Sequence, residues 1–327
     1  MFRPFDIEEI FPDVAAESVR LPRRRTGNSP QGLTVTLMAD YTLRTGAWLP
    51  SAAIVALLGE SGVSAANART AISRLARRGV LECKRHGRYS SYRLTPASAT
   101  SLSVGGHCIL TFPEVAEAWD GVWTLIAFSM PQDHGTRRKA LRTQLRWLGY
   151  APLYDALWVS PRDLTPQARA ELAKVDLGAL TVFRARQLEI DAITRRDPLS
   201  AWDITTIARQ YEAFIRCWSP LLPRIQAGEV GGAEAVRART NVMDTYRRFR
   251  FLDPLLPLRL MPPGWLRYRA REVFVAIYDG LATVAEEHVR AVASAFSQAP
   301  PTGIEAHTTA ELIAGVRHDP RRHHQVP

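Results

Sequence analysis

Between Asn67 and Arg93 the chain places eight basic residues, Arg69, Arg74, Arg77, Arg78, Lys84, Arg85, Arg88 and Arg93, against a single acid, Glu82. That surplus of +7 is most of a formal net charge of +10 carried by 327 residues. Guanidinium and ammonium groups gathered in this way do electrostatic work. They neutralise phosphates, and an arginine can in addition meet a guanine edge with two parallel hydrogen bonds. Asn67, Thr70, Ser73 and His86 are interleaved with them. Short polar side chains of this kind serve base edges or phosphate oxygens. A basic run is by itself also what a solvated helix face looks like, so the elements that carry it decide the reading.

Those elements are legible around it. On a helix at ~100° per residue, Ala68, Ala71, Ile72 and Leu75 fall on one side of residues 66–78. Thr70, Ser73 and Arg77 fall opposite, flanked by Arg69 and Arg74. Ser64 is a good cap for this helix and Gly79 a good terminator. Before it, LTVTLMADYTL predicts a helix carrying Leu37, Met38 and Tyr41. SAAIVALLGE predicts a second, with Ser51 as its cap, Ile54, Leu57 and Leu58 as its apolar side, and Gly62 as its end. After it, segments Leu81–Arg85 and Tyr89–Leu94 flank His86-Gly87 and predict a β-hairpin. Three helices followed by a basic, glycine-tipped hairpin predict a winged helix-turn-helix over residues 33–100. DNA contacts are expected from Asn67, Arg69, Thr70, Ser73, Arg74, Arg77 and Arg78 on the helix, and from Lys84, Arg85, His86 and Arg88 on the wing.

The rest of the chain is read more coarsely. Residues 1–32, with RLPRRRTGNSPQG, predict a mobile basic arm. Residues 101–195 alternate strand and helix patterns: WDGVWTLIAFSM, RRKALRTQLRWLG with Leu141, Leu145 and Leu148, ALWVS, TPQARAELAKV and ALTVFRARQLEI. This order predicts an α+β, ferredoxin-like sheet with two helices on one face. Residues 196–299 predict a helical C-terminal domain, with helices over ITTIARQYEAFIRCW, AEAVRARTNVMDTYRRFRFL and 270–297. Residues 300–327 predict a flexible tail.

Little in the sequence points to catalysis. No G-x-S-x-G, Walker A or G-x-G-x-x-G pattern occurs. His107 and Cys108 are adjacent in GGHC, and nucleophile–base pairs are normally built from distant parts of a chain, so a linker is expected there. Cys83, Cys108 and Cys217 lack metal-ligand spacing, and His318, His323 and His324 sit in the tail. No metal and no cofactor is therefore predicted. No apolar run reaches the ~18–20 residues of a membrane span, and the first residues lack a signal-peptide core, so a cytoplasmic, non-membrane protein is expected.

The chain resembles the PaaX-type transcriptional repressors, named for the phenylacetate degradation operon. The resemblance covers most of residues 33–290. It rests on TLMADYTLRTGAWLP, ARTAISRLARRGVLECKRHGRYSSYRLT, WDGVWTLIAFSMP, RKALRTQLRWLGYAPLYDALWVSPR and YRRFRFLDPLLPLRLMPPGW, in that order. It implies a Cas2-like central domain, a homodimer, a palindromic double-stranded DNA operator, and release by an acyl-CoA such as phenylacetyl-CoA. An acyl-CoA asks for basic groups and an apolar slot. Arg146, Trp147 and Tyr150 are one candidate set for it, and Tyr246, Arg247, Arg250 and Trp265 another. The family's Gly-Asp-Tyr stands here as Ala39-Asp40-Tyr41, and its His-Glu pair before the late Tyr-Arg as Asp244-Thr245. Two other functions remain open at this point. One is a nucleic-acid-binding module without an effector. The other is a Cas2-like metal-dependent nuclease, disfavoured because the first strand ends FSMP and its nearest acid, Asp133, follows in the loop.

Overall fold

Ser29 and Pro30 start the first helix. The Ser29 hydroxyl accepts from the Gly32 N–H, and Pro30, with no N–H of its own, takes the first helical position. In the computed structural model, which describes residues 29–112, 119–129, 135–173, 179–188, 196–297 and 301–315, α1 therefore spans Pro30–Thr42. It begins three residues before the expected LTVTLMADYTL. The chain separates into two compact units, one of residues 1–112, 214–248 and 269–327, the other of 113–213 and 249–268.

In the first unit, α1 is buried around most of its circumference. Its threonines tolerate this because their hydroxyls bond back along the helix, Thr34 to the Pro30 carbonyl at 2.6 Å and Thr42 to that of Met38 at 2.6 Å. Packed on it are α2 (Ser51–Glu60), α3 (Ala65–Arg77), β3 (Tyr89–Leu94) and α9 (Gly232–Tyr246). A three-stranded sheet in the order β1-β3-β2 joins the short β1 (Leu49–Pro50) to the hairpin of β2 (Leu81–His86) and β3. The cap of α2 is Pro50, and Ser51 is its first helical residue, without a side-chain cap bond. Proline's fixed φ sets the entry there, so the expected Ser51 cap is unused.

Three further departures from the sequence reading concern helices. Gly105–Cys108, expected as linker, fall inside α4 (Pro96–Thr111), capped by Thr95, whose hydroxyl accepts from the Ser98 N–H at 3.3 Å. His107 and Cys108 are thus helical residues, and the His107 Nδ1–H donates to the Ile313 carbonyl at 2.7 Å. The expected helix over AEAVRARTNVMDTYRRFRFL is two, α9 and the single turn α10 (Phe249–Leu252). The expected last helix is likewise two, α11 (Arg267–Gly280) and α12 (Ala282–Ala295), divided at Leu281. Between α7 (Ile204–Trp218) and α9 lies the short α8 (Leu221–Gln226).

Residues 301–315, expected as flexible tail, are ordered by specific bonds. The Glu305 N–H donates to the Tyr41 carbonyl at 3.0 Å, and the Ala306 N–H to Glu286 at 2.7 Å. A capping box of Thr308 and Glu311 opens α13 (Thr309–Ala314). The Thr309 hydroxyl donates to Asp279 at 2.7 Å, and Arg44 pairs with both Glu305 and Glu311.

The interior of this unit holds a polar cluster. Arg239 is 0 % exposed. It donates to the carbonyls of Tyr278 and His307 and lies over the Tyr278 ring at 3.9 Å. The Tyr278 hydroxyl donates to Asp40 Oδ1 at 2.7 Å and faces His307 Nε2 at 3.0 Å.

In the second unit the elements run β4 (Trp123–Ser129), α5 (Gly135–Trp147), β5 (Ala151–Tyr154), β6 (Leu157–Ser160), α6 (Pro166–Ala173) and β7 (Ala179–Ala185). All neighbours are antiparallel, in the order β5-β6-β4-β7. Alternation along β4 sends Ile126 and Phe128 to one face, where they pack with Trp158, Leu141 and Leu145 of α5 and Leu172 of α6. Both helices therefore share that face. Trp123 and Leu125 go to the other face, under Trp119 and Trp202. β7 lies at the sheet edge, with Val182 and Phe183 exposed. Elsewhere in this unit, Asp253 and Arg267 form a fully buried bidentate pair at 2.7 and 2.8 Å, joined by the Tyr211 hydroxyl at 2.7 Å.

The cluster around Arg239 makes a pH-dependent prediction. Burial raises the Asp40 carboxyl to about 6, against the pull of Arg239 and the Tyr278 hydrogen bond. Burial, helped by Arg239 and Arg44, lowers His307 to about 3. The raised Asp40 favours the fold at low pH, and that contribution is lost as pH rises from about 4 towards 6. The lowered His307 favours the fold above its unfolded value of 6.5, and that contribution is lost as pH falls towards 3. Between about 4 and 6 the two slopes oppose each other. Asp40→Asn keeps an acceptor for Tyr278 and removes one slope. Measured by urea unfolding, the variant is expected to gain on the parent by roughly 1 kcal/mol per pH unit across this window. A difference that stays constant with pH rules the account out.

Candidate nucleic-acid interface

Ser64 caps α3, its hydroxyl accepting from the Asn67 N–H at 3.3 Å. No acid occupies the first turn of the helix, and Arg74 and Arg77 stand in its last turn, where they complement the negative end of the dipole. Gly79, at φ +71°, turns the chain into β2. Ala68, Ala71, Ile72 and Leu75 are buried against α1 and α2, so the opposite side is fixed outward. Asn67, Arg69, Thr70, Ser73, Arg74 and Arg77 are exposed there, and Arg78 is half-buried at the end of the helix. The Thr70 hydroxyl donates to the Ala66 carbonyl at 2.9 Å, so what it offers outward is a methyl group and acceptor lone pairs.

The hairpin has six antiparallel pairs, from Leu81↔Leu94 to His86↔Tyr89, closed at Gly87 with φ +58°. A left-handed residue is what this tight turn requires, and glycine adopts it without steric cost. Lys84, Arg85, His86 and Arg88 are all exposed. Arg88 is steadied at the tip, its guanidinium 5.1 Å from the Tyr89 ring centroid and 2.9 Å from the Tyr89 hydroxyl, to which it donates. Glu82, the single acid of the stretch, is committed to Arg93, which also lies over the Trp48 ring at 4.6 Å. The ion pair leaves the positive charge of α3 and the hairpin tip uncompensated by Glu82. The helix and hairpin residues singled out in the sequence are thus brought together in one unit, all exposed except the half-buried Arg78.

Sequence reasoning missed one neighbour. Gln31, in the first turn of α1, lines an open depression of about 270 Å³ together with Arg74, Arg77 and Arg78. Ser29-Pro30 was the available signal, since serine before proline marks a helix start. The basic arm falls outside the described residues up to position 28, and so do Asp133, His318, His323 and His324.

The residues singled out for an effector are placed as follows. In the second unit, Tyr150 is a core residue beside Trp158 and Leu145, and burial pushes its hydroxyl up to about 12. Arg146 is exposed, with its guanidinium 5.5 Å from the Trp158 ring, while the Trp147 side chain lies outside the described ones. Arg250 and Trp265 are half-buried, and Trp265 packs edge-on against Tyr211 at 5.8 Å. In the first unit, Tyr246 is fully buried and stacked on Phe274 at 4.2 Å. Arg247 pairs with Asp244 at 2.8 Å, and burial, with Arg248 nearby, lowers its guanidinium to about 9. Among the described residues no group of three or more His, Cys, Asp or Glu side chains is placed to hold a metal ion, and no helix is long and apolar enough to cross a membrane.

Residues 29–98 match a family model described as PaaX-like protein, residues 116–196 the PaaX protein central Cas2-like domain, and residues 202–291 the PaaX-like protein C-terminal domain. The transcriptional repressor PaaX of Escherichia coli (strain K12) is 28 % identical over 262 residues, 79 % of this chain and 82 % of the relative. The solved structure of the uncharacterized protein Rv0674 from Mycobacterium tuberculosis is similar at a TM-score of 0.49 and 22 % identity, over 80 % of this chain and 96 % of that one. With its α/β architecture of antiparallel sheets and helices, and with three successive family segments in order, the chain belongs to the PaaX-like protein family.

Proposed function

We propose that the chain is a sequence-specific, DNA-binding transcriptional repressor. The observation that carries this reading is the division of α3 into a buried apolar stripe and an outward stripe of hydroxyl, amide and guanidinium groups, beside a basic hairpin tip. α1, α2 and α3 with the β1-β3-β2 sheet make a winged helix-turn-helix. α3 is its recognition helix, and Lys84, Arg85, His86 and Arg88 are its wing contacts. The similarity to a relative named as a transcriptional repressor supports the same conclusion.

The central unit is read as a ferredoxin-like dimerisation domain. Its exposed edge strand β7, carrying Val182 and Phe183, is the kind of edge that pairs with a second copy. A two-fold dimer reads a palindromic operator whose half-sites lie a helical turn or more apart. An acyl-CoA is the proposed releasing effector, phenylacetyl-CoA the first to try. It can act only through tighter binding to a DNA-incompetent arrangement. The proposed repressor acts in the cytoplasm.

Two experiments test this. With its own upstream intergenic duplex against scrambled competitor, Asn67→Ala is expected to lose specific affinity while leaving scrambled binding unchanged. Lys84→Ala is expected to weaken both duplexes about equally and to lower the slope of log K against log salt by roughly 1. Failure of the parent protein to prefer its own duplex overturns the regulator reading. A panel of acyl-CoA thioesters added to the specific complex is expected to contain one that releases the DNA. Indifference to all of them keeps the regulator and removes the acyl-CoA class.

A further inference from the structure

The open depression lined by Gln31, Arg74, Arg77 and Arg78 joins two elements that are far apart in sequence. On α3, Arg74 and Arg78 stand one turn apart on the same flank and Arg77 sits on the adjacent outward position. No acid is among the lining residues. From α1 the depression receives Gln31, in a first helical turn that contains no acid either. The Ser29 cap takes up the N–H groups of Gly32, through its hydroxyl, and of Leu33, through its carbonyl. Pro30 has no N–H, so the Gln31 N–H is the first-turn donor not engaged by the cap. A helix N-terminus carries partial positive charge, and here it stands beside three guanidinium groups. Converging donors of this kind suit a tetrahedral phosphate oxyanion much better than a flat base edge.

We propose that this depression is a phosphate clamp. Its ligand is a phosphate group, and in the complex with DNA that group is a backbone phosphate at the rim of the groove entered by α3. This deepens the repressor reading and rests on it, because it divides α3 into two parts. The amide and hydroxyl residues Asn67, Thr70 and Ser73 read bases. The C-terminal arginines, with Gln31, set register on the backbone and carry no sequence information. Arg77 is thereby a phosphate contact and not a base contact.

The decisive variant is Gln31→Glu. It puts a carboxylate into the clamp, yet an acid in the first turn of α1 favours the helix, so the fold is retained or strengthened. Gln31→Glu and Arg77→Ala, each as the full chain, are titrated with the chain's own upstream duplex and with a scrambled duplex across a salt series. Both are expected to weaken the two duplexes by the same factor, roughly tenfold, with the thermal midpoint of Gln31→Glu unchanged or raised. Arg77→Ala is expected to flatten the salt slope by about 1. Loss of preference for the own duplex in Arg77→Ala, with an unchanged slope, would make Arg77 a base reader and end the proposal. Unaltered binding in both variants, alongside specific binding by the parent, also ends it, while leaving the repressor reading intact. A second arm uses inorganic phosphate and free coenzyme A with no DNA present. If either raises the thermal midpoint of the parent but not of Gln31→Glu, and duplex binding is unaffected by the variants, the clamp holds a phosphate from a small ligand and the backbone assignment is overturned.

Discussion

The first unit depends on a guanidinium group kept wholly out of water. Removing an arginine from solvent costs several kcal/mol unless its donors are met. Arg239 offsets much of that cost by donating from its two terminal nitrogens to the carbonyls of Tyr278 and His307 and by lying over the faces of Tyr278 and Tyr41, although its Nε has no hydrogen-bond partner among the described residues. Those partners come from α1, α11 and residues 301–308, while Arg239 itself comes from α9. One side chain therefore fixes the relative position of four segments that the sequence separates by up to 266 positions (Tyr41 to His307). Asp40 and His307 complete the arrangement, neither of them holding its charge as it would in water. Because α3 leans on α1, the outward side of α3 is aimed by this interior.

How much of this was legible in the sequence divides along a physical line. Features set by neighbours within one turn could be read: the Ser64 cap, the Gly79 stop, the Gly87 hairpin tip and the apolar stripe of α3. The strand and helix order of the central unit was also legible, since a period of two in WTLIAFS and of three to four in RRKALRTQLRWL are local patterns. Features set by distant partners were not. Residues 301–315 look polar and loose, yet they are pinned by Tyr41, Asp279, Glu286 and His107, each from another helix. The α4 helix was hidden because serine and glycine fill SLSVGG, and what overrides them includes the packing of Gly106 on Leu312. Gln31 could not be associated with Arg77 at all, because they stand 46 positions apart and only the packing of α1 on α3 brings them together.

The aromatic residues proposed for an effector illustrate the same limit. Tyr246 stacks on Phe274 and also meets Phe112 and Phe214, and Tyr150 sits among Ile126, Leu145 and Trp158. An acyl chain that used either ring would have to replace packing already present, so its binding and a change of internal arrangement would be one event. That coupling is what a ligand-released regulator requires, and it places the burden on differential affinity between two packings.

Thr70 carries a consequence for how such an interface changes over evolutionary time. Its hydroxyl proton is already given to the Ala66 carbonyl, one turn back. A substitution to serine would preserve that internal bond and remove only a methyl group. The hydrogen-bond inventory of the helix would be unaltered, while the outward apolar surface, which on the proposed reading meets a pyrimidine's 5-methyl group, would shrink. Divergence at this position is therefore a matter of shape, and if α3 reads DNA as proposed, a duplicated copy of the gene could drift toward a new target one methyl at a time without passing through an unpaired donor.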